Sequence, residues 1–93
     1  MIKTFKCKKT EALFLRISIA PSWREVASVA LRKLVYLHAA KRLEDLKVPP
    51  GNQLEKLKGD RKQQYSIRVN QRWRVCFEFE DGNAYNVEIV DYH

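Results

Sequence analysis

Cysteine, glycine, proline and acidic residues are all scarce in this sequence, and each shortage narrows what the chain can be. The two cysteines, Cys7 and Cys76, are far apart and form no Cys-x-x-Cys or Cys/His spacing. A disulfide framework and a zinc site are therefore unsupported, and two free thiols are expected. Three glycines and three prolines provide no Gly/Ser linker, and no low-complexity tract or repeat is visible. No stretch approaches the ~20 consecutive apolar residues of a membrane span. Met1-Ile2-Lys3-Thr4-Phe5-Lys6 lacks the apolar core of a signal peptide, so the expected setting is the cytoplasm. No clustered ligand-type residues call for a metal, and no cofactor is expected. Eleven Asp and Glu face eighteen Lys and Arg, a net charge of +7 with a pI near 9.7. So strong a positive potential on a small surface suits a polyanion or an acidic partner, although basic charge also serves plain solubility.

What is present suffices for one core. At 93 residues, 45% hydrophobic and 11% aromatic, the chain reads as a single domain, residues 1–93, that folds without staples. Ile2 to Phe5 reads as a short strand and Thr10 to Phe14 as a turn of helix. Pro21-Ser22-Trp23-Arg24-Glu25 has the spacing of a capping box, Ser22 with Glu25 three positions on, and predicts a helix start. Val26, Val29, Ala30, Leu34 and Leu37 recur at helical spacing as far as about Ala40, with Arg24, Ser28, Arg32 and Lys33 lying largely elsewhere. Lys41 to Lys47 reads as a short helical turn, and Pro49-Pro50-Gly51-Asn52 imposes a loop.

The C-terminal half alternates instead. Tyr65, Ile67 and Val69, then Trp73, Val75, Phe77 and Phe79, then Tyr85, Val87 and Ile89 predict three strands with one apolar face. Asn70-Gln71-Arg72 joins the first pair, and Asp81-Gly82, suited to the positive φ angles of a tight hairpin, joins the second. The fold class is α+β: an N-terminal strand and helices packed on a small antiparallel sheet. The opposite parity carries Ser66 and Arg68, then Arg74, Cys76 and Glu78, then Glu88, Val90 and Tyr92, and is the candidate working surface.

On that surface Arg68 and Arg74 share a parity on adjacent strands, where two guanidinium groups can converge on one phosphate and stabilise a pentacoordinate phosphorane. The competing reading pairs these arginines with carboxylates such as Glu78 or Glu88. Leu57-Lys58-Gly59-Asp60-Arg61-Lys62 is a basic loop that either grips a nucleic-acid backbone or is simply solvated. Asp91-Tyr92-His93 brings a carboxylate, a phenol and an imidazole beside the basic face. An imidazole titrates near neutrality and can exchange protons with a ribose 2′-hydroxyl or a departing 5′-oxygen; the competing reading is an idle tail. His38, within the helix beside its apolar face, reads as structural.

Four stretches of the chain carry a family resemblance. They are Pro49-Pro50-Gly51-Asn52-Gln53-Leu54-Glu55-Lys56-Leu57-Lys58-Gly59-Asp60-Arg61, Tyr65-Ser66-Ile67-Arg68-Val69-Asn70, Trp73-Arg74-Val75-Cys76-Phe77 and Val87-Glu88-Ile89-Val90-Asp91-Tyr92-His93. Together they closely resemble HigB toxins of the RelE/ParE toxin–antitoxin superfamily. Ile2-Lys3-Thr4-Phe5-Lys6-Cys7-Lys8 and Val29-Ala30-Leu31-Arg32-Lys33-Leu34 extend the likeness. The resemblance implies a RelE-like domain that cleaves messenger RNA on the translating ribosome, inhibits translation, and is silenced by a HigA-like helix-turn-helix antitoxin. It also implies that Asp91, Tyr92 and His93 form the C-terminal catalytic triplet, that Lys58 is the basic residue of the active-site loop, and that Arg74 is the arginine following the sheet tryptophan. Arg61, Lys62, Arg68 and Arg72 are added as RNA-binding candidates from charge, parity and proximity.

Two positions depart from the pattern. Glu55 stands three places before Lys58, where some HigB toxins have a histidine, which makes His93 the main candidate for proton transfer. Leu15-Arg16-Ile17-Ser18-Ile19-Ala20-Pro21 is apolar where a more basic linker is expected, a difference that bears on antitoxin docking. The expected activity is a metal-independent endoribonuclease acting at the ribosomal A site. The rivals are a ParE-like inhibitor of DNA gyrase and a non-catalytic relative that docks RNA or the ribosome without cutting.

Overall fold

A computed structural model describes residues 1–61 and 63–91. The candidates Lys62, Tyr92 and His93 lie outside the described residues. The expected layers are present: α1 (Lys8–Phe14) and α2 (Ala27–Ala39) pack on an antiparallel sheet of β1 (Glu55–Lys56), β2 (Tyr65–Arg68), β3 (Trp73–Glu80) and β4 (Asn83–Asp91), ordered β1-β2-β3-β4. The edge strand β1 was not foreseen. It pairs Glu55 with Ser66 and Lys56 with Tyr65. The segment expected as an N-terminal strand runs parallel beside β4 but forms two isolated bridges, Ile2 with Ala84 and Phe5 with Val87.

The core lies between the helices and the apolar face of the sheet, where Leu13, Ala30, Leu34 and Leu37 meet Ile67, Val75, Phe77, Val87 and Ile89. Trp23 packs edge-on against Trp73, with ring centroids 6.1 Å apart. His38 is structural as expected: its Nδ1 accepts the Ile2 N–H at 3.0 Å, and its ring lies 5.2 Å from that of Phe14.

Three local expectations need correction. The Ser22–Glu25 capping box does not form, because Pro21 opens a single 3-10 turn, Pro21–Trp23, that buries Trp23, and α2 begins later, at Ala27, without a side-chain cap. Lys33, read as lying off the apolar face, is only 6% exposed. Tyr85 does not share a face with Val87 and Ile89, because Cys76 pairs with Glu88 but Glu78 pairs with Tyr85. That offset leaves one extra residue on β4 where Asn86 takes φ 53°. Ala84 therefore points to the core and Tyr85 to the other face. The Asp81-Gly82 hairpin forms as read, with φ of 51° and 79°.

Among the described residues, no helix is long and apolar enough to cross a membrane.

Candidate functional site

The face of the sheet turned away from the helices is built from alternate residues of β2, β3 and β4. Arg68 lies directly opposite Arg74, Ser66 opposite Cys76, and Cys76 opposite Glu88. The parity reading thus placed Arg68 and Arg74 correctly. Like charges directly opposite each other repel.

Arg74 is the best-defined group on this face. It is 7% exposed, and an arginine stays charged even when buried. Its Nε donates to Ser66 Oγ at 2.7 Å, and its Nη2 donates to the Gln53 carbonyl at 2.5 Å. A second Nη2 contact reaches the Ser66 carbonyl at 3.5 Å. These acceptors are neutral, so they fix the plane of the guanidinium without cancelling its charge. The Glu55 carboxylate stands farther off, 3.9 Å from Nη2 and half exposed. Glu55 therefore sits beside the principal cation, at the place where some resembling sequences have histidine.

At the other end of this face, Glu88 gathers cations. Arg61 Nη1 donates to Glu88 Oε2 at 3.1 Å and to Gln64 Oε1 at 2.9 Å, while Lys6 Nζ lies 3.6 Å from the same carboxylate. Glu88, one of the carboxylates weighed as a partner for Arg68 and Arg74, thus pairs with Arg61 from the 3-10 turn Gly59–Arg61, whereas Arg74 has the carboxylate of Glu55 beside it. Beneath these groups Cys76 is fully buried, and burial pushes its thiol up to about 11 against the partial pull of Arg61.

Lys58 is exposed and precedes the 3-10 turn Gly59–Arg61. It helps line a shallow hollow of ≈ 520 Å³ with Lys56, Leu57, Gly59 and Gln63. Arg72 Nε donates to Asp91 Oδ2 at 2.8 Å, and its guanidinium carbon lies 4.7 Å from the Trp73 ring centroid. The Asp91 carboxylate is thus anchored at the end of β4, beside the hairpin that carries Arg72.

Sequence reasoning placed Ser66 on the working face without giving it a role, and it missed Lys33, Asn52 and Gln53. Lys33 Nζ donates to Asn52 Oδ1 at 2.6 Å, and Gln53, the residue after Asn52, supplies the carbonyl that receives Arg74. Ser66 was legible by parity; the other three were not, because their partners are remote in sequence. Among the described residues, no group of three or more His, Cys, Asp or Glu side chains is placed to hold a metal ion.

Residues 11–93 match the model of a family described as the RelE-like toxin of the type II toxin–antitoxin system HigB. The chain is similar to Toxin HigB-1 of Vibrio cholerae serotype O1, 39% identical over 89 residues, covering 92% of each chain. It is also similar to Endoribonuclease HigB of Proteus vulgaris, 48% identical over 40 residues, covering 43% of this chain and 44% of that one. Among solved structures, a mutant of YafQ from E. coli matches with a TM-score of 0.60 at 16% identity, over 98% of this chain and 91% of that one. A chain of a YoeB–YefM toxin–antitoxin complex from Staphylococcus aureus matches with a TM-score of 0.58 at 20% identity, over 100% and 95%. At these identities the structural matches speak for the fold.

Proposed function

The chain belongs to the HigB-like family of RelE-like toxins of type II toxin–antitoxin systems, and from that premise we propose that it is an endoribonuclease that stops translation by cutting messenger RNA in the ribosomal A site. The observation that carries this reading is Arg74: a buried, permanently charged guanidinium held in one plane by Ser66 and Gln53, facing Arg68 across the strands. A fixed planar donor set beside a second arginine suits a phosphodiester and the charge that grows on its equatorial oxygens as it is attacked.

The reaction is a transesterification that requires no metal. The ribose 2′-oxygen bonds to the adjacent phosphorus and the bond to the 5′-oxygen breaks, leaving a 2′,3′-cyclic phosphate, or its hydrolysed 3′-phosphate, and a 5′-hydroxyl. One proton leaves the 2′-hydroxyl and one reaches the 5′-oxygen. His93 moves these protons, Asp91 and Tyr92 orient His93 or the substrate, and Arg74 and Lys58 hold the phosphate. Arg61, Lys62, Arg68 and Arg72 contact the RNA backbone, and the ribosome supplies codon geometry. The protein works in the cytoplasm and is silenced by a HigA-like helix-turn-helix antitoxin.

Primer extension on a defined message in a reconstituted translation system tests this, comparing the intact chain with His93→Ala, with and without ribosomes. Ribosome-dependent cuts that disappear in the variant are the expected result. Cuts at the normal rate by a folded His93→Ala protein overturn the proton-transfer role. An intact message with damaged DNA points instead to gyrase inhibition, and an intact message with blocked translation points to RNA or ribosome binding alone.

A further inference from the structure

Lys33 stands on the buried face of α2, where burial and the nearby charges of Arg32 and Arg68 push its pKa down. A lysine placed there needs a compensating partner. It has one in Asn52, which is fully buried and accepts from Lys33 Nζ through Oδ1 at 2.6 Å. The other side of the Asn52 amide is also occupied: Nδ2 donates to the Leu46 carbonyl at 3.1 Å and the Val48 carbonyl at 3.3 Å. Asn52 thus makes three side-chain hydrogen bonds, one to Lys33 of helix α2 and two that brace the loop itself at Leu46 and Val48, and no apolar side chain can do the same.

The next residue is where this tie matters. Gln53 takes φ 45° and ψ 58°, the left-handed region, which a residue other than glycine holds only when its surroundings impose it. Its side chain is exposed, so the constraint acts on its backbone: its N–H donates to the Pro50 carbonyl at 3.1 Å, and the residue before it is anchored through Asn52 Oδ1 and Nδ2. In that conformation its carbonyl meets Arg74 Nη2 at 2.5 Å. Two residues later Glu55 enters β1, opposite Ser66, the second acceptor of Arg74.

We infer that Asn52, backed by Lys33, is a positioning residue that sets the Arg74 guanidinium through the left-handed turn at Gln53. The inference rests on the assignment of Arg74 to the phosphate, and its test separates the two. The first readout is the guanidinium NMR signal of the full-length protein, identified by its loss in Arg74→Lys. Fixed Nη donors rotate slowly and give separate proton signals. In Asn52→Ala the Nη signals merge while the Nε–H, bonded to Ser66, keeps its shift. Lys33→Met retains the buried stem, removes only the amine and gives the same change in weaker form.

The second readout is ribosome-dependent cleavage. Asn52→Ala lowers kcat by about 10- to 100-fold with little change in KM, the signature of a displaced catalytic group. Separate Nη signals and wild-type kcat in both variants overturn the inference. If Asn52→Ala does not fold, Lys33→Met decides alone by the same two readouts. If a folded Arg74→Gln protein, which has no charge at this position, cleaves normally, the phosphate assignment fails, and the NMR result still decides whether Asn52 positions Arg74.

Discussion

Arg74 donates its Nε–H to the hydroxyl of Ser66 at 2.7 Å across strands β3 and β2, and both side chains are buried on the face of the sheet opposite the helices. Ser66→Ala removes the acceptor but leaves the charged donor in place, so the guanidinium keeps its desolvation penalty with one partner fewer. The folded state should lose about 1–3 kcal/mol in chemical denaturation. Arg74→Lys retains a positive charge but has no planar fork to match both Ser66 and Gln53. Cleavage should fall by about 10²-fold or more, and Tm should fall at least as far as in Ser66→Ala, because Ser66 and Gln53 cannot both keep their donor. Normal cleavage by Arg74→Lys would mean that a point charge suffices and that the guanidinium geometry is irrelevant.

Glu88 holds two cations, Arg61 and Lys6, that on the proposed function would otherwise be available to RNA. Its carboxylate holds Arg61 at 3.1 Å and faces Lys6 at 3.6 Å, with its side chain 14% exposed. Glu88→Gln removes the negative charge and keeps a hydrogen-bonding oxygen for Arg61. Binding to single-stranded RNA should tighten, and the log–log salt slope should steepen by about 0.7 for each further phosphate that the released cations neutralise. Fluorescence anisotropy across a salt series measures both. An unchanged affinity and slope would place Arg61 and Lys6 outside the RNA path and leave them as partners of Glu88.

The two thiols should differ sharply in reactivity. Cys7 is half-buried, whereas Cys76 is fully buried and its thiol is raised from the usual 9.0 to about 11 by burial. At pH 8 about one Cys76 in a thousand is thiolate, so a thiol reagent should label Cys7 first and Cys76 only through unfolding. Between pH 9 and 11 the unfolded chain loses the Cys76 proton before the folded one does. The raised group therefore stabilises below this window, and its contribution, on the order of 2 kcal/mol, is lost as pH rises through it. Lys33, lowered from 10.5, acts in the opposite sense, since its folded form sheds the proton first. The difference between wild type and Cys76→Ala isolates the cysteine and should shrink from pH 9 to pH 11.

Legibility followed the range of the interactions. Period-two alternation and the Asp81-Gly82 turn are local signals, and they located β2, β3, β4 and the face shared by Arg68 and Arg74. The same rule misplaced Tyr85 because the residue inserted at Asn86, φ 53°, reverses parity without any change in composition. Ser22 and Glu25 had the spacing of a cap, but burial of Trp23 in the Pro21 turn outweighed it. Lys33 looked solvated because charge usually marks an exposed helical face. Its partner Asn52 lies nineteen residues away in a segment readable only as a turn. The charge and register of the site were thus local information, while the hydrogen bonds that aim Arg74 were tertiary.

Arg72 is open to two roles, and a double-mutant cycle separates them. Its Nε donates to Asp91 at 2.8 Å, and its guanidinium lies 4.7 Å from the centroid of Trp73, the Cα partner of Asp91 across β3 and β4. As an RNA contact, Arg72 would act on binding: Arg72→Gln would raise KM and flatten the salt slope whatever stands at position 91. As the clamp on Asp91, it acts through the carboxylate that the proposed mechanism assigns to orienting His93 or the substrate, so the loss appears in kcat. The ion pair is half exposed and contributes only about 0.2–1 kcal/mol to the fold, so neither substitution should unfold the protein. The clamp predicts that Arg72→Gln and Asp91→Asn each lower kcat and that the double variant is no slower than the slower single one. Multiplicative losses in the double variant would show independent roles and assign Arg72 to the RNA.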